Sequence, residues 1–216
     1  GPVSLKWLGA YGGGWIEALQ GMDRAGSVEE FRQAMRPWHV PTFVLAIADA
    51  DGHIAMQSSG RVPYRNALCR GYRRGWDPQD AWVGLIPIEA MPGADDPERG
   101  WLGSANNRIT DDSYPYRVFG CWASGHRAHR IREMFESHQG RVDRDEFARM
   151  QLDAVSGRAR ECLGPLVSVL GESDDEGIVA AVEILAGWDG ECLPDSVGPT
   201  LFNVFYRAWC RRVAEA

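Results

Sequence analysis

Apolar positions change their spacing along this chain, mixed before about residue 120 and helical after it. Residues 3–11 alternate loosely between apolar and polar, which predicts a strand, and the triple glycine at 12–14 breaks it. Trp15, Ala18, Leu19 and Met22 then recur at helical spacing through Arg24. Ser27-Val-Glu-Glu30 reads as a capping box, with the serine capping a helix start and Glu30 reaching back to it. Phe31, Ala34 and Met35 continue as an apolar stripe that ends near Pro37. Thr42 to Ala48 is a short apolar run suited to a strand buried on both faces. Asp49-Ala-Asp-Gly52 predicts a tight hairpin, with His53 to Gln57 as the returning strand.

Beyond the hairpin the pattern loosens. Asn66 to Gln79 is basic and turn-rich and predicts a surface loop, and Trp82 to Met91 holds an apolar core broken by a glycine and a proline. Gly93 to Gly100 is a turn cluster. Trp101 to Arg108 predicts a strand that delivers Asn106 and Asn107 to its end, and residues 111–116 read as loop. From Trp122 onward the spacing is helical. Gly125 to Ser137 places Ala128, Ile131, Met134 and Phe135 on one face. Asp143-Arg-Asp-Glu146 opens a further helix with negative charge in its first turn, where the helix dipole favours it. Three more helices are expected over 161–170, 177–185 and 196–213, with Trp188-Asp-Gly190 separating the last two. No internal repeat interrupts this order. The pattern predicts an α+β chain, with a mixed front over residues 1–121 and a mainly helical back over 122–216.

Composition narrows what such a chain does. It has 216 residues, 44% hydrophobic and 25% charged, enough for one sizeable core or two small ones. A formal net charge of -7, with arginines scattered rather than blocked together, argues against a nucleic-acid partner. No apolar run approaches the roughly 18–20 residues that cross a bilayer, so no membrane span is expected. The first six residues lack the basic start and apolar core of a signal peptide. Five cysteines, none in a C-x-x-C pair or near a histidine at ligand spacing, make a zinc site improbable and favour reduced, packed thiols over a disulfide framework. Core and interface packing is the reading for most of the nine tryptophans, and the lining of an apolar pocket is the alternative.

Candidate chemistry is sparse. No G-x-S-x-G elbow occurs, and Ser58 and Ser59 have no evident base beside them. His39 and His53 read as loop and turn residues, and His126, His129 and His138 as part of a solvated arginine-rich face. The pairs Asp95-Asp96, Asp111-Asp112 and Asp174-Asp175 read as solvated turns, and Asp49 and Asp51 lack the ligand ladder of a calcium loop. Asn106 and Asn107 remain, with Arg127. A side-chain amide donates two hydrogen bonds without carrying charge, which suits an oxyanion formed at an attacked carbonyl; a turn-forming pair is the alternative.

Several short motifs in order change this weighting. Gly1-Pro-Val3, Ala48-Asp-Ala-Asp-Gly-His-Ile54, Gly60-Arg-Val-Pro63, Trp82-Val-Gly-Leu-Ile-Pro87 and Met91-Pro92 are followed by Ser104-Ala-Asn-Asn-Arg108 and Tyr114-Pro115. His126-Arg-Ala-His-Arg-Ile131, Met150-Gln-Leu-Asp153 with Ser156, and Trp188-Asp-Gly190 complete the series. Together they resemble the penicillin acylase family of N-terminal nucleophile hydrolases, which includes acylases of penicillins, cephalosporins, lipopeptides and acyl-homoserine lactones.

That resemblance implies part of an αββα sandwich with a helical arm, belonging to the large β subunit of a self-cleaving precursor. The implied reaction is hydrolysis of a linear amide through an acyl-serine. The serine begins the β subunit and uses its own α-amino group, through a water, as base. By motif position Asn106 is the asparagine that holds the oxyanion, and Arg127 the arginine that organises the site. The serine segment, the α subunit and the remainder of the β subunit are expected outside these 216 residues, so the implied partners are those segments and a small-molecule acyl amide. No cofactor is expected. A structural calcium ion is possible in the full-length protein, but its ligands are expected mostly outside this chain, and no acid stands between Tyr116 and Phe119 where one would fall. Thr42 stands where the family often has asparagine. The resemblance implies a periplasmic or secreted location, which the residues themselves leave undetermined. Two other readings remain open: a non-catalytic acyl-binding homologue, and a structural domain.

Overall fold

The computed structural model describes residues 1–65, 71–118 and 120–215. Cys69 and the start of the 66–79 loop lie outside the described residues. The chain divides into two compact units, Gly1–Ala123 and Ser124–Ala216.

The N-terminal unit begins with helices α1 (Trp15–Met22) and α2 (Val28–Met35), packed side by side. Their approach is close enough that a Cβ at Gly21 would lie 2.9 Å from the Cβ of Ala34, so only glycine fits there without displacement. The serine half of the predicted capping box forms, with Ser27 Oγ accepting from Glu30 N at 3.2 Å. The return contact is shifted by one residue: the Glu30 carboxylate accepts from Gly26 N at 2.7 Å rather than from Ser27. The first predicted strand does not form. Residues 3–11 run without a ladder apart from a 3-10 turn at Leu8–Ala10, and Val3 and Leu5 are exposed. Alternation marks a segment able to pair, and no strand among the described residues pairs with this one.

Strands β1 (Val44–Ala48) and β2 (Ile54–Ser58) form the expected hairpin, in a register that sets Ala48 opposite Ile54 and Val44 opposite Ser58. Its connection spans residues 49–53, and one side chain holds it. Asp49 accepts from Asp51 N at 3.1 Å and His53 N at 3.0 Å through one oxygen, and from Val28 N, the first residue of α2, at 3.3 Å through the other. β1 is not buried on both faces as its composition suggests. It is an edge strand, with Ala46 and Ala48 exposed. A short antiparallel pair, β3 (Pro63–Tyr64) with β4 (Gly84–Leu85), follows. β5 (Gly93–Asp95) then completes a sheet of order β1-β2-β5. Sequence assigns Gly93–Asp95 to a turn cluster because Gly-Ala-Asp has little strand preference. The open edge of β2 recruits it through backbone bonds, which Ser58 N to Pro92 O at 2.8 Å and Asp96 N to Ile54 O at 2.9 Å extend on either side.

The C-terminal unit is helical: α3 (His126–Ser137), α4 (Arg144–Gln151), α5 (Gly157–Leu170), α6 (Glu176–Ala186) and α7 (Val197–Glu215). Short polar side chains start three of them. Asp143 accepts from Glu146 N at 2.8 Å, Ser156 from Ala159 N at 3.2 Å, and Asp175 from Gly177 N at 2.9 Å. The core joins α5, α6 and α7 through Ala159, Leu185 and Phe202. Trp188 is more than punctuation. Its ring lies 5.8 Å from that of Phe202, its indole N–H donates to Glu191 O at 2.7 Å, and a Cβ at Gly198 would come within 2.6 Å of it.

The hairpin turn carries a titratable latch. His53 Nδ1 meets Asp96 Oδ2 at 2.8 Å while Asp96 Oδ1 accepts from Ile54 N at 2.8 Å. The hydrogen bond to Asp96 and its charge raise the His53 pKa above its ordinary 6.5. The Ile54 amide and His53 lower that of Asp96 below 3.8. A raised histidine pKa stabilises fully below pH 6.5 and loses its contribution as pH rises through the folded value; a lowered carboxylate pKa stabilises above 3.8 and loses its contribution as pH falls. The latch is therefore strongest between these limits. NMR titration of His53 should give a midpoint above 6.5, and Asp96→Asn should return it toward that value.

Candidate active site

The two residues singled out by sequence fall in different units, Asn106 in the N-terminal and Arg127 in the C-terminal. Residues 101–108 do not form the predicted strand but run irregularly into a bend. The asparagines themselves cause this. Asn107 Oδ1 accepts from Ala105 N at 3.0 Å and its Nδ2 donates to Arg108 O at 2.9 Å, so one side chain replaces the ladder on both sides of the bend. Asn106 then takes a left-handed conformation, with φ of 60°, one of two non-glycine residues with positive φ among those described. Asparagine tolerates that region better than most residues. Ala123 N donates to Asn106 O at 2.8 Å and Ala105 is buried, so the bend is pinned from outside and beneath. The doublet is thus divided: Asn107 holds the turn, and Asn106 sits exposed at its apex.

The arginines of α3 divide similarly. Arg130 forms a two-pronged pair with Asp153, Nη2 to Oδ1 at 2.6 Å and Nε to Oδ2 at 3.0 Å, and also reaches Glu133 at 3.2 Å. The bond to Asp153 holds the Arg130 pKa far above its ordinary value, and the same bond lowers that of Asp153. Arg127, three residues earlier on the same helix, is exposed. Sequence reasoning missed the Arg130–Asp153 pair. Both residues stand in quoted motifs, but nothing in either motif says that they meet.

The remaining candidates occupy structural roles. Ser59 is buried, and its hydroxyl accepts from Phe43 N at 3.0 Å. His39 lies against Gly13 O at 3.4 Å, His126 against Glu161 at 3.4 Å and His138 against Arg141 O at 3.3 Å. Asp95 pairs with Arg32, and Asp111 accepts from Ser113. The thiols differ from expectation in their setting: Cys162 is half-buried, whereas Cys121, Cys192 and Cys210 are exposed rather than packed, all four unbridged. Asp49 is committed to the hairpin. Residues 116–119 offer no carboxylate, and among the described residues no three His, Cys, Asp or Glu side chains gather as a metal site.

The fold is α+β and is shared with N-terminal nucleophile hydrolases. It superposes on a thermostable penicillin G acylase from Alcaligenes faecalis with a TM-score of 0.62 at 20% identity, covering 85% of this chain and 34% of that one. The penicillin amidase family model matches residues 1–216, and the chain belongs to that family. It is 31% identical over 204 residues to penicillin acylase 2 proenzyme of Pseudomonas sp. (strain SE83), covering 92% of this chain and 26% of that protein. It is 26% identical over 213 residues to the acyl-homoserine lactone acylase QuiP of Pseudomonas fluorescens (strain Pf0-1), again covering 92% and 26%. The chain spans about a quarter of the length of these curated relatives.

The division of the doublet has a measurable consequence. Asn107→Ala removes two hydrogen bonds from the bend and should destabilise the N-terminal unit by about 1–2 kcal/mol. Asn106→Gly keeps the left-handed backbone and should change stability by only a few tenths of that, on the order of 0.5 kcal/mol or less. Urea denaturation of both variants checks the order.

Proposed function

We propose that this chain is the oxyanion-stabilising part of an acylase that hydrolyses a linear amide through an acyl-serine intermediate, the serine being supplied by polypeptide outside these 216 residues. Membership of the penicillin amidase family supports the reaction class, as do relatives named as a penicillin acylase proenzyme and an acyl-homoserine lactone acylase. The observation that carries the residue assignment is the left-handed, exposed placement of Asn106 beside an Asn107 whose amide is spent on the turn.

In this reading the serine oxygen attacks the amide carbonyl and gives up its proton through water to the α-amine. The carbonyl π electrons move onto oxygen. Asn106 Nδ2–H donates to that oxyanion, which a neutral amide does without needing a compensating charge. Collapse expels the amine, which takes up a proton, and leaves the acyl-serine; water then repeats the attack and releases the acid. By the same family resemblance Arg127 is the organising residue, a role that its fixed fork of donors suits. Penicillin-, cephalosporin- and acyl-homoserine-lactone-type amides all fit this chemistry. The α subunit and the rest of the β subunit are the partners it requires.

Replacing Asn106 by Ala or Gly in the full-length processed enzyme should lower kcat by about 10²–10³ while cleavage of the precursor and folding persist. The 216-residue chain alone serves as the control arm, with no turnover of phenylacetyl amides or acyl-lactones. Near-wild-type turnover by both variants removes the oxyanion assignment, and steady hydrolysis by the isolated chain removes the external serine.

A further inference from the structure

The segment before α1 has the alternation of a strand without a strand's surroundings. Val3, Leu5 and Trp7 fall two residues apart, and they are 73%, 87% and 56% exposed. Residues two apart point to the same side of an extended chain. Trp7 already has extended backbone, with φ of -134° and ψ of 130°. Its ring turns back over Gly9, where a Cβ would lie 2.2 Å from it, and still stays more than half exposed. Lys6, at the intervening position, is held by its own unit: its ammonium lies 4.5 Å from the centre of the Trp82 ring. One side of the segment is thus anchored, and the apolar side is bare.

The backbone is equally unused. Among the described residues no backbone hydrogen bond joins residues 3–6 to another segment, and Trp7 takes part only through its carbonyl, which accepts from Ala10 N at 3.1 Å. Three large apolar side chains on one side of an exposed segment mark a surface that something covers. A helix laid on that side covers the side chains and leaves the backbone groups unanswered. A neighbouring strand answers both, with hydrogen bonds along the edge and apolar neighbours on the same face.

We propose that residues 3–7 form a β-strand in the full-length enzyme, laid beside a strand from polypeptide outside these 216 residues, with apolar residues of that strand flanking Val3, Leu5 and Trp7. The chain covers 26% of penicillin acylase 2 proenzyme and 26% of QuiP, so most of each relative lies outside the matched part and is the source of such a strand. A second copy of this chain is the poorer occupant, because each copy carries a formal net charge of -7, which opposes self-association. The inference rests on the acylase reading for the existence of that polypeptide, and it names the surface that receives it.

The test uses the full-length processed enzyme. Hydrogen exchange resolved to single residues should show at least two of the amides of Ser4 to Trp7, spaced two apart, slowed at least about 100-fold relative to an open chain. A photo-crosslinking residue in place of Leu5 should then join the segment to a peptide of the same enzyme outside the 216 residues. Exchange of all four amides at the open-chain rate overturns the proposal. A crosslink confined to the 216 residues overturns it too, as does one to a second copy in an enzyme whose mass doubles with concentration. The readout does not depend on turnover. An active Asn106→Ala enzyme with slowed amides removes the oxyanion assignment alone, whereas open-chain exchange in an enzyme that loses turnover on Asn106→Ala removes the strand alone.

Discussion

One left-handed residue governs the candidate site. Asn106 sits at φ of 60° because Asn107 ties both arms of the bend with its own side chain, and because Ala123 N holds the Asn106 carbonyl from outside. Catalytic donors act by being in place before charge develops, so that no reorganisation is needed at the moment of reaction. A single asparagine on a loose loop would not provide that. Two adjacent asparagines make a fixed bend, with Asn107 as its clamp and Asn106 at its apex. The mutational expectations on stability and on turnover diverge for this reason, since the residue that stabilises the bend is not the one proposed to hold the oxyanion.

Elsewhere each unit is held by ordinary means. Asp49 joins the β1–β2 hairpin to the first turn of α2, and His53 with Asp96 closes the opposite side of that hairpin. In the helical unit, Arg130 is locked to Asp153 across the junction of α4 and α5, leaving Arg127 exposed on the same helix. In both units a charged or amide side chain next to a candidate residue is committed to structure.

What was legible in the sequence was local. Ser27 and Asp143 announced helix starts because the capping bond spans three residues, whereas Asp175, read as a solvated turn, caps a helix as well. The Asp-Gly hairpin was legible for the same reason. Strand formation was not, since it depends on a partner elsewhere in the chain. Residues 3–11 alternate but find no ladder among the described residues, while Gly93–Asp95 lacks strand preference and pairs anyway because β2 offers an open edge. The ordered motifs identified Asn106 through resemblance, yet its left-handed backbone and the clamp made by Asn107 could not be read from residue types. The Arg130–Asp153 pair joins residues 23 apart and was equally hidden.

The most direct measurement is a crystal structure of the full-length processed enzyme with a boronate or phosphonate mimic of the tetrahedral intermediate. Asn106 Nδ2 should stand about 2.7–3.1 Å from the oxygen that mimics the oxyanion, with Asn107 still bonded to Ala105 N and Arg108 O. An oxyanion oxygen held by Asn107, or lying beyond hydrogen-bond reach of Asn106, would contradict the assignment.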